Sequence, residues 1–109
     1  METVKEGSYF YLDVSFTDED GGDKAPTWAR YRIDCISTVA EILAWTTVDS
    51  GDLAATIALF IKDSYSTILN QSNKKEHKIL TIEARYDDDA EKEIREEYIW
   101  RVLNLQKIP

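Results

Sequence analysis

The 109-residue chain holds 21 acidic against 13 basic residues, a formal net charge of −8, so nucleic acid and anionic membranes would both repel it. Its length suits one domain over residues 1–109, burying about two thirds of the surface that the unfolded chain exposes. No apolar run approaches the ~20 residues that cross a bilayer, and a single cysteine, Cys35, excludes an intrachain disulfide.

The start, METVKEGSYF, has no basic segment followed by an apolar one, so the chain is expected to be made and kept in a cytosol unless it leaves inside an assembly. Stability then has to come from packing, and Cys35 is expected to be a buried apolar residue rather than a reactive thiol.

SYFYLDVSF alternates, with Phe10, Leu12, Val14 and Phe16 on one face and Tyr9, Tyr11, Asp13 and Ser15 on the other. This is the pattern of a half-buried strand. TDEDGGDKAP has the acids, glycines and proline of a connecting loop. TWARYRIDC alternates again, setting Ala29, Tyr31, Ile33 and Cys35 against Trp28, Arg30, Arg32 and Asp34. In STVAEILAWTTV the spacing from Thr38 to Glu41 fits a helical capping box, while the β-branched end favours a strand over EILAWTTV. LAATIALFI fits both periods as well: Leu53, Ile57, Phe60 and Ile61 at helical spacing, or Ile57, Leu59 and Ile61 along a strand. Its shortness and its flanks favour the strand. YSTILNQSN reads as a short strand and turn. KILTIEARY, through Leu80, Ile82, Ala84 and Tyr86, and EYIWRVLNL, through Tyr98, Trp100 and Val102, read as a final pair of strands.

About seven short strands with regular turn signals define an all-β chain, expected to form a two-sheet antiparallel β-sandwich of immunoglobulin-like type. The succession P..ARYRI, AWTTV, TIALFI, ILN......HKILTIEARY and EYIWRVLNL resembles small immunoglobulin-like, or fibronectin-III-like, structural proteins of tailed bacteriophage virions. The resemblance runs from Tyr9 to Leu105 and rests on strand patterns together with Tyr31, Trp45, Glu76, Tyr98 and Asn104. The stretch from Asp87 to Arg95 departs from it, being longer and more acidic than a tight hairpin needs. The resemblance implies a non-catalytic part of a head, neck or tail, made in the host cytoplasm and carried in the virion, docking to capsid or tail subunits.

Each chemical constellation has a plainer reading. Asp18, Asp20 and Asp23 in DEDGGD offer clustered oxygens to a hard cation, but the spacing is not that of a twelve-residue calcium loop and the closing glutamate is missing. A solvated loop is expected, with no metal and no cofactor. Asp87, Asp88 and Asp89 are consecutive and point different ways on an extended chain, which suits a charged loop tip. His77, the only histidine, lies in KKEHK among charged neighbours, where exposure is expected, and lacks a nucleophile for triad chemistry. The NQS acceptor pattern at Asn70 has no meaning without a secretory route. Glu83 and Arg85 fit a solvated cross-strand charge network.

The aromatic residues carry the functional expectation. With Tyr31, Tyr86, Tyr98 and Trp100 turned inward, Tyr9, Tyr11 and Trp28 remain outside beside Arg30 and Arg32. Aromatic rings and guanidinium groups are the enriched anchors of protein interfaces, and these five are the candidate docking residues. The expected partners are phage structural subunits, or further copies of the chain as a homo-oligomer. A carbohydrate- or receptor-binding sandwich using Trp28 and Trp45 is the alternative. An enzyme ranks last, because no acid–base pair has a spacing that chemistry requires.

Overall fold

The computed structural model describes residues 2–18, 20–87 and 90–105. Seven strands carry the fold: β1 (Glu2–Lys5), β2 (Phe10–Ser15), β3 (Trp28–Cys35), β4 (Ala40–Thr47), β5 (Thr56–Ile61), β6 (Lys75–Arg85) and β7 (Glu93–Leu103). Single 3₁₀ turns at Ser50–Asp52, Asp63–Ser66 and Ala90–Lys92 are the only helical elements among the described residues. The protein is all-β.

The strands form a five-stranded sheet of order β1-β7-β6-β3-β4 and a two-stranded sheet, β2-β5. Alternation puts one side of each sheet into a common core. Val14, Phe16, Ile57, Leu59 and Ile61 from the smaller sheet cluster with Ala29, Ile33, Leu80, Ile82, Ala84, Trp100 and Val102 from the larger. The Phe10 and Trp100 rings meet edge to face across the core at 5.5 Å, and Trp100 is 1% exposed. The long β6-β7 pair is therefore the wall on which the smaller sheet rests.

Three expectations need correction. The larger sheet is mixed rather than antiparallel, because β1 runs parallel to β7, with Glu2 opposite Trp100 and Lys5 opposite Leu103. Four residues of the first segment carry too little alternation to signal a strand, and their partner is nearly the whole chain away. YSTILNQSN is not a strand: the chain turns through Asp63–Ser66, with Ser64 N donating to the Asp63 carboxylate at 2.7 Å. Finally, Glu76 and Lys78 are fully buried, where the charged stretch KKEHK suggested an exposed strand start. The connection does exceed a tight hairpin but is shorter than Asp87–Arg95, because Glu93, Ile94 and Arg95 already belong to β7; it closes on Tyr86 N donating to Lys92 O, while Asp88 and Asp89 lie outside the described residues.

Two local features set the sheet edges. β4 shifts register against β3 between Tyr31 and Ile33 and again between Ile33 and Asp34, so this edge strand is bulged and twisted. The chain passes from β1 to the other sheet through Gly7 at φ +77°, a conformation glycine adopts without a Cβ clash, and Gly7 N donates to Ser66 O at 2.9 Å.

Candidate docking interface

The alternation that sends Ala29, Ile33 and Cys35 inward sends Trp28, Arg30, Arg32 and Asp34 to the outer face of the five-stranded sheet. Register extends this row sideways. Arg30 lies opposite Glu83 and Trp28 opposite Arg85 on β6, while Glu83, Arg85 and His77 lie opposite Arg95, Glu93 and Arg101 on β7. Every one of the chain's five arginines is thus on one face.

The rings and guanidinium groups interleave. Arg85 stacks over the Trp28 ring at 4.5 Å, and Arg30 lies 5.6 Å from Trp28 and 4.1 Å from Trp45. Arg32 lies 5.7 Å from Trp45. The result is a row Arg85, Trp28, Arg30, Trp45, Arg32 drawn from β6, β3 and β4, in which each ring has two guanidinium groups near it. Carboxylates hold the row in place. Arg30 directs Nε and Nη2 to Glu83 Oε1 at 3.1 and 2.9 Å, while Arg95 Nη2 approaches Glu83 Oε2 at 3.5 Å. Arg32 grips both oxygens of Asp34, at 2.9 and 2.7 Å, and approaches Glu41 at 3.7 Å.

Electrostatics follow the geometry. Burial works to raise the Glu83 carboxyl, but the hydrogen bond and charge of Arg30 and the charge of Arg95 outweigh it, and the group sits below the ordinary carboxylate range. The hydrogen bond to Asp34 raises Arg32. The face therefore sets paired charges between aromatic rings, with Arg30 and Arg32 each held by two hydrogen bonds to a carboxylate. Preordered side chains lose less entropy on binding.

The five sequence-predicted interface residues do not share a face. Trp28, Arg30 and Arg32 are on the larger sheet, half-buried in the row above, whereas Tyr9 and Tyr11 precede and occupy β2 in the smaller sheet, whose outer side looks away from the common core. The two tyrosines, 65% and 64% exposed, instead flank Phe60 at ring distances of 5.6 and 5.2 Å. Both strands alternate correctly; alternation alone does not say which sheet a strand joins.

Sequence reading missed a second ordered cluster. Glu76 and Lys78 occupy the same inward row of β6 as Leu80, Ile82 and Ala84, a parity visible in the sequence once the strand is extended back from Lys78. Glu76 accepts from Lys78 Nζ at 2.9 Å, from Leu69 N at 2.8 Å, from Asn70 N at 2.9 Å and from Asn73 Nδ2 at 2.9 Å. Burial works to raise its carboxyl, yet these donors together bring it down to about 2. Cys35, buried as expected, accepts from Lys78 Nζ at 3.4 Å and donates to Glu76 at 3.7 Å. Asn104, also fully buried, donates to Gln71 O and Asn73 O. The cluster binds the 69–73 loop to the sheet, which is structural work.

Elsewhere, Asp18 Oδ1 accepts from Asp20 N and Gly22 N, each at 2.9 Å, so its carboxylate serves the loop's own backbone. Glu19 lies outside the described residues. Among the described residues no group of three or more His, Cys, Asp or Glu side chains is arranged to hold a metal ion. His77 N donates to Ser37 Oγ at 3.0 Å, tying β6 to the β3-β4 turn. The chain matches no protein-family model, no curated protein and no solved structure.

Proposed function

We propose that the chain is a non-enzymatic docking module, an immunoglobulin-like β-sandwich that attaches to another protein subunit through the outer face of its five-stranded sheet. The observation that carries this reading is the concentration of all five arginines, with Trp28 and Trp45, on one sheet face of a protein with a net charge of −8. Arginine and tryptophan lead the residues that dominate binding energy at protein interfaces, and here they stand preordered by Glu83 and Asp34. Tyr9 and Tyr11 are left out of this contact, being on the other sheet.

The setting rests on the resemblance alone: a structural protein of a tailed-phage virion, a decoration, connector or assembly module of head, neck or tail, made in the host cytoplasm. The carbohydrate alternative loses ground on geometry. A sugar ring stacks on an open aromatic face, whereas Trp45 and Trp28 each carry a guanidinium within 4.1 and 4.5 Å. Substituting Trp28 and Arg30 together by alanine tests the proposal. The double variant is expected to fold while its incorporation into particles weakens by about 2 kcal/mol or more. Normal incorporation of the folded variant overturns the docking face, and glycan binding by the wild type moves the reading to the alternative.

A further inference from the structure

We propose that the open edge of β5 pairs antiparallel with the β5 edge of a second copy of this chain, joining their two-stranded sheets into one. This contact is separate from the docking face, which belongs to the other sheet.

The peptide groups available for such pairing follow from the ladder. Phe16 N donates to Ala55 O at 2.7 Å, in the same register that sets Val14 opposite Ile57 and Leu12 opposite Leu59. Antiparallel alternation then turns the N–H and C=O of Ile57, Leu59 and Ile61 toward β2, and those of Thr56, Ala58 and Phe60 toward the open edge. Among the described residues, no backbone hydrogen bond beyond the ladders and helical turns engages these three. Beside them runs a groove of about 580 Å³, walled on the far side by Tyr31, Thr46 and Thr47.

The other edges are guarded, and β5 is not. β4 carries two register shifts and Glu41. β1 is four residues long with a charge at each end, Glu2 and Lys5. β2 has Asp13 in its middle. Bulges, short length and charge are the devices by which edge strands refuse partners. TIALFI has no charge, no proline and no glycine, and its ladder with β2 runs six residues without a shift.

Charge selects a second copy as the occupant. Two chains of net charge −8 repel at most orientations, so a self-contact needs an uncharged strip with complementary flanks. The β5 groove supplies both: Asp49 and Asp52 line one end, Lys62 the other. An antiparallel pair brings Lys62 of each copy beside Asp49 and Asp52 of its partner, and the two-fold axis makes this contact twice. Closure by a two-fold also consumes both open edges, so the association stops at a dimer.

Sedimentation equilibrium on the full chain, from micromolar to near-millimolar concentration, tests the inference. The wild type is expected to pass from a 12.6 kDa monomer to a dimer. Ala58→Pro removes an N–H that faces the open edge and spares the ladder to β2, so it should keep the far-ultraviolet spectrum and remain monomeric. Lys62→Glu is a second probe, independent of proline's backbone demands. It should raise the dimer Kd about tenfold or more, and reversing Asp49 and Asp52 to lysine in the same chain should recover it. A wild type that stays monomeric throughout overturns the inference. So does a folded Ala58→Pro that dimerises normally, or a Lys62→Glu that leaves the dimer unchanged. Replacing Trp28 and Arg30 should not affect this equilibrium; a dimer lost there would assign self-association to the docking face instead.

Discussion

Glu76 shows what a buried charge costs and what it secures. Its carboxylate and the Lys78 ammonium are 0% exposed, and two buried ions are tolerated only when each finds partners. Five donors converge on the carboxylate, two of them backbone amides of the 69–73 loop, so removing it both frees that loop and strands a buried ammonium. Glu76→Gln is expected to destabilise by about 3–5 kcal/mol in denaturant melts, and adding Lys78→Met should return part of the loss. The sign of the pH dependence is fixed by the same contacts. The folded carboxyl sits at about 2, below its ordinary 4.5, so its contribution is complete above about pH 4.5 and disappears as pH falls toward 2. The double variant should have a flatter acid limb than the wild type. Val39 is the converse case, a cost without a contact. It holds φ +53° while 92% exposed, and a β-branched residue in the left-handed region is strained. Val39→Gly is expected to raise stability by about 1 kcal/mol, the left-handed penalty less glycine's entropy.

Among the elements, the β6-β7 pair is the frame of the molecule. Its inward row places Trp100 against Phe10 across the core, and Trp100→Ala should cost about 3–5 kcal/mol by chemical denaturation; a loss below about 1 kcal/mol would place the ring on the surface. Alternation revealed β2, β3, β6 and β7 because a strand with one wet side must alternate; β5 fitted both periods and was read from its shortness and its flanks, and the β-branched end of EILAWTTV was enough for β4. Glu2–Lys5 was not legible, since its pairing is with a segment distant in sequence and parallel to it. YSTILNQSN was misread for a different reason: it contains enough β-branched and apolar residues to suggest a strand, whereas the chain is turning where it begins, with Tyr65 N donating to Lys62 O at 3.0 Å and Ser64 N to the Asp63 side chain at 2.7 Å.

At the scale of the whole molecule, the two ends of the strands differ. The β2-β3, β4-β5 and β6-β7 connections gather Asp18, Asp20, Asp23, Asp49, Asp52, Asp87 and Glu91 with Lys24 and Lys92 at one end, whereas the turns at the opposite end expose Ile36, Val39 and Leu69 beside Lys62, Asp63 and Lys74. The arginines belong to neither end; they lie along the broad face between. That arrangement was half legible. The sequence shows Trp28, Arg30 and Arg32 on one side of a strand, but the neighbours that complete the row, Trp45, Arg85 and Arg95, arrive by pairing and cannot be placed before the sheet order is known. The same gap put Tyr9 and Tyr11 with them.

Oxidative footprinting of the free protein and of the protein in the proposed assembly tests the proposed docking face most directly. Trp28 and Trp45 should be oxidised in the free chain and protected after assembly, while the core residue Trp100 stays unlabelled in both. Equal oxidation of Trp28 and Trp45 in the free and assembled states would contradict the account.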